Sequence, residues 1–184
     1  MRHFALTLLL ALPWSVAGAA PVEYTLLPQE SLLYVQVFKD RSALLSRLAH
    51  DHVIRASQWS GTVRVDSRDV SHCEVDIDVA VAGLVVDEPE MRALVGYAQM
   101  LDPTTRAKID GHMRANRQLN AGVFPGIHFT SLGCVPQAAG TALVRGVLEL
   151  HGWRQTVDVP MRFHFTGNLL QAAGTFALRQ QDFG

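Results

Sequence analysis

The sequence has only two cysteines, Cys73 and Cys134, and few charged residues, which make up 18% of its 184 residues. Basic residues (16) and acidic residues (17) nearly balance, the net charge is -1, and no basic cluster is present. A nucleic-acid partner is therefore not expected, because such proteins carry a basic patch that neutralises phosphates. With 48% hydrophobic residues, the chain is long enough for one domain with a substantial core.

Long apolar runs are absent after the first twenty residues. The opening MRHFALTLLLALPWSVAGAA has a basic start, an apolar stretch and then small residues. This three-part pattern predicts a signal peptide at residues 1–19. The apolar stretch is shorter than the roughly 20 residues that a membrane span needs. We therefore expect residues 20–184 in the periplasm or secreted, without stable membrane insertion.

Motifs for catalysis are also missing from the sequence. There is no glycine-rich phosphate loop and no nucleophile elbow. Neither cysteine lies in a catalytic signature, and the acidic pair Asp87-Glu88 is interpreted as an ordinary polar turn. We therefore expect no enzyme activity and no cofactor.

The two cysteines of an exported chain are expected to form a disulfide, although two small buried thiols are the alternative. Cys73 opens one predicted strand and Cys134 closes another. Strict alternation from Ile127 and Phe129 turns Cys134 to the wrong face, so the bond requires a β-bulge near Gly133. The closed loop of about 60 residues would contribute about 3–4 kcal/mol.

Period-two alternation of apolar and polar residues dominates the rest of the chain. In TVDVPMRFHF one face carries Val157, Val159, Met161, Phe163 and Phe165. CEVDIDVAV and ALVRGVLEL alternate in the same way, and SGTVRVD, GIHFTS, SLLYVQVF and GTFALRQ predict further strands. Seven strands with one apolar face each predict an all-β fold with helical insertions, either an antiparallel barrel or a sandwich.

Three segments lack this alternation and are predicted to be helical. Asp102 followed by Pro103 is typical of a helix N-cap with proline at the first helical position. A second short helix is predicted from Pro89 to Ala98, and a third in RSALLSRLAH, residues 41–50.

His50 and His52 lie two residues apart in RLAHDHVIRASQWSG. Such residues share one face of a strand and could bind a zinc ion together with a third ligand from His128, His151 or His164. Histidines that face solvent need no ligand, and a further possibility is that the pair contacts a lipid head group at the mouth of a barrel. We expect no metal here, but a metal-binding barrel with hydrolytic or redox activity is the alternative function.

An ordered set of motifs resembles the YceI-like family, the polyisoprenoid-binding proteins of bacterial periplasms. The motifs are HDHV with WSGTVRVD, CEVDIDVAV, FPGIHFTS, VRGVLELHGWRQTVDVPM and LRQQDFG. The resemblance implies a lipocalin-like antiparallel β-barrel with an inserted helical segment. It also implies a tunnel that holds the isoprenoid tail of a quinone-like or polyprenyl lipid, and it implies no catalytic residue.

The apolar inward faces of the strands suit an alkyl or prenyl tail, because a closed sheet of about eight strands can enclose one small ligand. The expected lining is Val75, Ile77, Val79, Ile127, Phe129, Val144, Leu148, Val157, Val159, Met161 and Phe163. The sequence therefore predicts a binding protein for an isoprenoid-like or other amphiphilic lipid. These side chains could instead fill a solid core, in a scaffold with no fixed ligand.

Two features depart from the family pattern. The family has further strand after DFG, whereas this chain stops at Gly184, so we expect the barrel to lack one or more closing strands. An unpaired edge favours pairing with a second copy, which leaves a homodimer possible. The helical segment from Glu88 to Asn120 is longer than usual, which affects the expected shape of the tunnel.

Overall fold

The structure is a computed structural model that describes residues 20–38 and 51–184. The predicted signal peptide, the predicted helix at residues 41–50 and His50 lie outside the described residues. The strands of the described part are β1 (Val22–Thr25), β2 (Tyr34–Val37), β3 (His52–Ala56), β4 (Trp59–Val65), β5 (Glu74–Ala80), β6 (Leu84–Val86), β7 (Gly126–Pro136), β8 (Thr141–Leu150), β9 (Trp153–Thr166) and β10 (Leu169–Gly174). The α-helices there are α1 (Pro89–Leu94) and α2 (Pro103–Arg114), and short 3-10 turns span Pro28–Glu30, Val81–Gly83 and Gln180–Phe183.

Seven strands form one antiparallel sheet in the order β1-β4-β5-β7-β8-β9-β10, which curls into a nearly closed barrel. This confirms the predicted all-β class and the lipocalin-like antiparallel barrel with helical insertions. A second sheet, β2-β3-β6, packs on one end of the barrel, where Leu33 and Ile54 contact Val79 and its neighbours.

The alternation in the sequence explains the faces of the barrel strands. On β9, Val159 and Phe163 are buried, whereas Asp158 and Arg162 on the opposite face are exposed. Such alternation fixes the register, because a slip of one residue would turn every apolar side chain to solvent.

The predicted β-bulge and the predicted disulfide occur together. The β7–β8 register shifts between Ser131 and Gly133, so that Leu132 is the extra residue. This shift returns Cys134 to the inside, where it is bonded to Cys73 with a Cα–Cα distance of 5.7 Å. The bond joins the start of β5 to the end of β7.

Helix α2 begins as the sequence predicts. The Asp102 side chain accepts a hydrogen bond from the Thr105 backbone N–H at 3.0 Å, and Pro103 is the first helical residue. At the other end, Arg114 donates to the carbonyl oxygens of Val81 and Leu84 at 2.6 and 2.7 Å. These bonds hold the end of α2 against the turn and strand that precede α1.

The prediction of a strand in GTFALRQ is wrong, because β10, the last strand of the barrel, comes earlier in the chain. β10 is Leu169–Gly174 and forms a hairpin with β9 through a turn in which Gly167 has a φ of +58°. The turn sets the pairing even though alanine and glycine have low strand preference. We call the following segment, Thr175–Gly184, the strap. It does not continue the pairing of β10 with β9, and it contains the 3-10 turn Gln180–Phe183.

Candidate ligand-binding interior

The inner wall of the barrel is apolar, and each of the eleven side chains predicted to line it is buried or half-buried. Around the disulfide they join a group that we call the disulfide cluster. Its buried members are Val63, Val65, Cys73, Val75, Cys134, Ala142, Val144 and Phe163. Ile77, Phe129 and Met161 pack against this cluster from the middle of the barrel.

A second group, the junction cluster, lies where the barrel meets the three-stranded sheet. It consists of Ala56, Val79, Val81 and Leu84, with half-buried Trp59 and Ile127 packed against it. Ile77 contacts both clusters. The apolar wall is therefore continuous along β5, from the disulfide to the junction.

A glycine on an inward position shapes the middle of the barrel. Gly146 on β8 pairs with Ser131 and Val157, between buried Val144 and Leu148. The Phe129 ring occupies the space that a Cβ atom at Gly146 would take. Phe129 thus lies over the β8 backbone, along the wall of the barrel.

The barrel has a seam between its edge strands β1 and β10. β1 pairs with residues 62–65 of β4, and β10 pairs with residues 161–166 of β9. The Tyr24 ring, on β1, lies near the Phe165 ring, on β9, with their centroids 6.4 Å apart. Along residues 153–160 of β9, the outer edge has no ladder partner among the described residues.

A pocket of about 270 Å³ lies between this open edge and the strap. Its lining residues are Gln155, Thr156, Val157, Asp158, Phe176, Ala177, Leu178, Asp182 and Phe183. Val157 belongs to the inward row of β9, so the pocket adjoins the apolar wall. Phe183 is buried, whereas Phe176 and Leu178 are partly exposed.

A charged pair stands at the outer side of this pocket. Arg145 donates from Nε and Nη2 to the two carboxylate oxygens of Asp158 at 2.7 and 2.9 Å. These hydrogen bonds lower the pKa of Asp158 and raise the pKa of Arg145. Both groups therefore remain ionised at neutral pH, on the face of β9 opposite to Val157 and Val159.

The interpretation of Asp87-Glu88 as an ordinary polar turn is wrong, because Asp87 is buried. Its carboxylate accepts hydrogen bonds from the Val53 backbone N–H at 3.1 Å and from Arg92 Nη1 at 2.7 Å, and it contacts His52 Nδ1 at 2.6 Å. We call His52, Asp87 and Arg92 the Asp87 cluster. Asp87 also has a φ of +50°, a backbone conformation that aspartate tolerates better than most residues.

Arg92 of α1 connects several segments through the Asp87 cluster. It is 3% exposed and also donates to the carbonyl oxygens of Gln99 and Asp51 at 2.7 and 3.1 Å. Its guanidinium lies 5.2 Å from the centroid of the Tyr97 ring, and burial raises the pKa of Tyr97. The cluster thus fixes α1 on β3 and orients the His52 ring.

The histidines proposed as metal ligands occupy different environments. His128 contacts Asp78 at 2.5 Å on the outer face, and His164 is exposed on β9. His151, in the β8–β9 turn, packs edge-on against the Phe124 ring at 5.2 Å. Within residues 20–38 and 51–184, no three His, Cys, Asp or Glu side chains form a group that could hold a metal ion.

These features define the protein as an antiparallel β-barrel with an apolar inner wall, a disulfide at one end and a second small sheet at the other. The sequence matches the model of the YceI-like domain over residues 24–184. The chain therefore belongs to the YceI-like family. No helix in the described part of the chain is long and apolar enough to cross a membrane.

Solved structures support the same fold. BcnA of Burkholderia cenocepacia superposes with a TM-score of 0.58 at 17% sequence identity and covers 71% of both chains. The YceI protein of Campylobacter jejuni gives a TM-score of 0.54 at 12% identity, over 71% of this chain and 69% of that one. No curated protein sequence matches this chain.

Proposed function

We propose that this protein binds an amphiphilic lipid and holds its apolar, isoprenoid-like tail inside the barrel. The supporting observation is the continuous apolar wall along β5, where Val75, Ile77 and Val79 connect the disulfide cluster with the junction cluster. Burial of apolar surface contributes about 25 cal/mol per Å². A few hundred Å² of tail would thus contribute several kcal/mol, before the cost of ordering the tail is subtracted.

The head group of such a lipid would lie near His52. This residue shares a face of β3 with Ile54, which packs on the junction cluster. Because His52 Nδ1 is engaged by Asp87, the Nε2 atom remains for a polar head group. His50 is the second candidate on sequence grounds.

Binding, rather than catalysis, is the role that fits this chain. The sequence offers no catalytic motif, and the family resemblance supplies no catalytic residue or cofactor. The Cys73–Cys134 disulfide fits an oxidising compartment outside the cytoplasm, which agrees with the signal peptide proposed at residues 1–19.

Narrowing the interior should shorten the lipids that the protein accepts. Val159 is buried and inward-facing on β9, so Val159→Phe adds apolar volume to the interior without adding charge. We expect the variant to bind geranylgeraniol at least about tenfold more weakly, a loss of about 1.4 kcal/mol. Its affinity for the shorter geraniol should be unchanged. Calorimetric titration with both alcohols measures the difference.

The matched control is Val135→Phe, since Val135 lies on β7 and is exposed. It should bind both alcohols like the unmodified protein, and circular dichroism should show that both variants are folded. If folded Val159→Phe binds both alcohols unchanged, the tail does not lie in this interior and the proposed function is wrong.

A further inference from the structure

We propose that two copies of this protein pair through the outer edge of β2, so that their three-stranded sheets join into one antiparallel sheet of six strands. The inference concerns the sheet outside the barrel and does not depend on the proposed function. It follows from a difference between the two edges of the β2-β3-β6 sheet.

The β6 edge of this sheet is blocked by an arginine. Arg114, at the end of α2, donates to the Val81 carbonyl oxygen at 2.6 Å and to the Leu84 carbonyl oxygen at 2.7 Å. The Leu84 carbonyl points away from β3, because the neighbouring Gly83 carbonyl accepts the bond from the Ser57 N–H beyond β3. The arginine therefore occupies an acceptor that a further strand would need.

The β2 edge is open, and its backbone groups point outward. The Ala56 backbone N–H donates to the Leu33 carbonyl oxygen at 2.9 Å, in register with the β2–β3 pairs. Because bonded pairs alternate along antiparallel strands, Tyr34 and Gln36 direct their N–H and C=O groups away from β3. In the described part of the chain, these outward groups have no backbone partner. They can therefore bond to a further strand.

The side chains along this edge are apolar on both faces of the sheet. Tyr34, Val35, Val37 and Phe38 are 40%, 51%, 39% and 68% exposed. Natural sheets protect exposed edges with a charged residue, a proline or a β-bulge. The sequence YVQVF has no charge and no proline, and the β2–β3 register is regular. Two such strands would approach each other without electrostatic repulsion.

A second copy fits this edge because the strand is complementary to itself. With a two-fold axis at Gln36, that residue pairs with Gln36 of the second copy, Tyr34 pairs with Phe38, and Val35 lies opposite Val37. An axis perpendicular to the sheet keeps each face continuous, so aromatic rings meet on one face and valines meet on the other. Cross-strand pairs of these types stabilise antiparallel sheets, and a two-fold interface uses the same surface of both copies.

The dimer should be weak and reversible. The strand contributes five residues from each copy, whereas a stable interface usually takes about 20–30 residues from each side. We therefore expect sedimentation velocity to show a monomer–dimer equilibrium that is populated at about 100 µM protein.

The first test places a charge on the edge. Lysine is a residue with which natural edge strands avoid pairing, so Val35→Lys should raise the dimer dissociation constant at least about tenfold. The matched control is Val135→Lys, because Val135 lies on the barrel strand β7 and has a similar exposure of 55%. It should dimerise like the unmodified protein.

The second test places a cysteine on the axis. In the proposed register the two Gln36 Cα atoms lie about 5.5 Å apart, a distance that a disulfide spans. With oxidised glutathione, Gln36→Cys should form a disulfide-linked dimer at least about tenfold faster than Thr130→Cys, because pairing raises the effective thiol concentration. Thr130 is an exposed residue of β7, and the native cysteines are already bonded to each other.

The inference is wrong if the unmodified protein stays monomeric at about 300 µM, well above the micromolar range, whether another part of the chain covers the edge or only a foreign peptide strand binds there. It is also wrong if the dimer persists in folded Val35→Lys, or if Gln36→Cys is linked no faster than Thr130→Cys. Circular dichroism shows whether Val35→Lys is folded, and if it is not, the Gln36→Cys measurement decides. No lipid is involved, so these results leave the proposed function to its own test.

Discussion

Asp87→Asn is expected to lower the free energy of unfolding by about 3–5 kcal/mol, because it leaves a buried arginine without its counter-charge. The Asp87 side chain is fully buried and Arg92 is 3% exposed, so water cannot replace the lost carboxylate. Asparagine tolerates the positive φ of Asp87, which separates the loss of charge from backbone strain. Chemical denaturation monitored by circular dichroism measures the effect.

Asp158→Asn is the matched control for this substitution. It also removes a carboxylate from a pair with arginine at 2.7 Å, but Asp158 and Arg145 are exposed. Exposed ion pairs contribute little to stability, so the control should unfold almost like the unmodified protein. If Asp87→Asn and Asp158→Asn lowered the free energy of unfolding equally, the role assigned to the Asp87 cluster would be contradicted.

A double variant separates the charge pair from its surroundings. Arg92→Met combined with Asp87→Asn removes both charges and leaves an apolar side chain in the buried position. The double variant should therefore lose less unfolding free energy than the sum of the losses in the single variants Asp87→Asn and Arg92→Met. Strict additivity would show that the two residues do not stabilise each other.

Removal of the disulfide is expected to cost about 4 kcal/mol, since the two cysteines are 61 residues apart and the bond restricts the unfolded chain. Cys73→Ala/Cys134→Ala keeps small apolar groups in the disulfide cluster, so the loss of packing is small. For a chain of this size the midpoint of thermal unfolding should fall by about 8–16 °C.

The control for the disulfide is a reducing agent. It should lower the stability of the unmodified protein to that of the double variant and leave the double variant unchanged. Thiol labelling of denatured, unreduced protein should detect no free cysteine. Two labelled thiols per chain, or a reductant effect on the double variant, would contradict this account.

The barrel strands could be predicted from sequence because one face of each lies in water. In β5, β8 and β9 the apolar and polar residues alternate, which is the pattern that such a sheet produces. The bulge was predictable as well, since only an extra residue near Gly133 could turn Cys134 towards Cys73. Here two independent requirements, the alternation and the disulfide, pointed to the same local structure.

The end of the barrel and the Asp87 cluster could not be predicted in this way. LLQAAG has no alternation of β-branched residues, and it forms β10 because the hairpin turn brings it beside β9. Asp87 is 34 residues from Val53, so its partners come from tertiary structure rather than from a motif. The available signals were the apolar Leu84-Val85-Val86 directly before Asp87 and an arginine one helical turn beyond Glu88.

The central claim, that the barrel interior holds a lipid tail, is tested most directly by the lipid that accompanies the protein. Protein purified without detergent should be extracted with organic solvent, and the extract analysed by mass spectrometry beside an extract of Val159→Phe. The account predicts an amphiphile with a long apolar tail in amounts close to one per chain, and less of it, or a shorter species, from the variant. If the unmodified protein carries no lipid and takes up none of the prenyl alcohols, the apolar wall is only a packed core and the account is wrong.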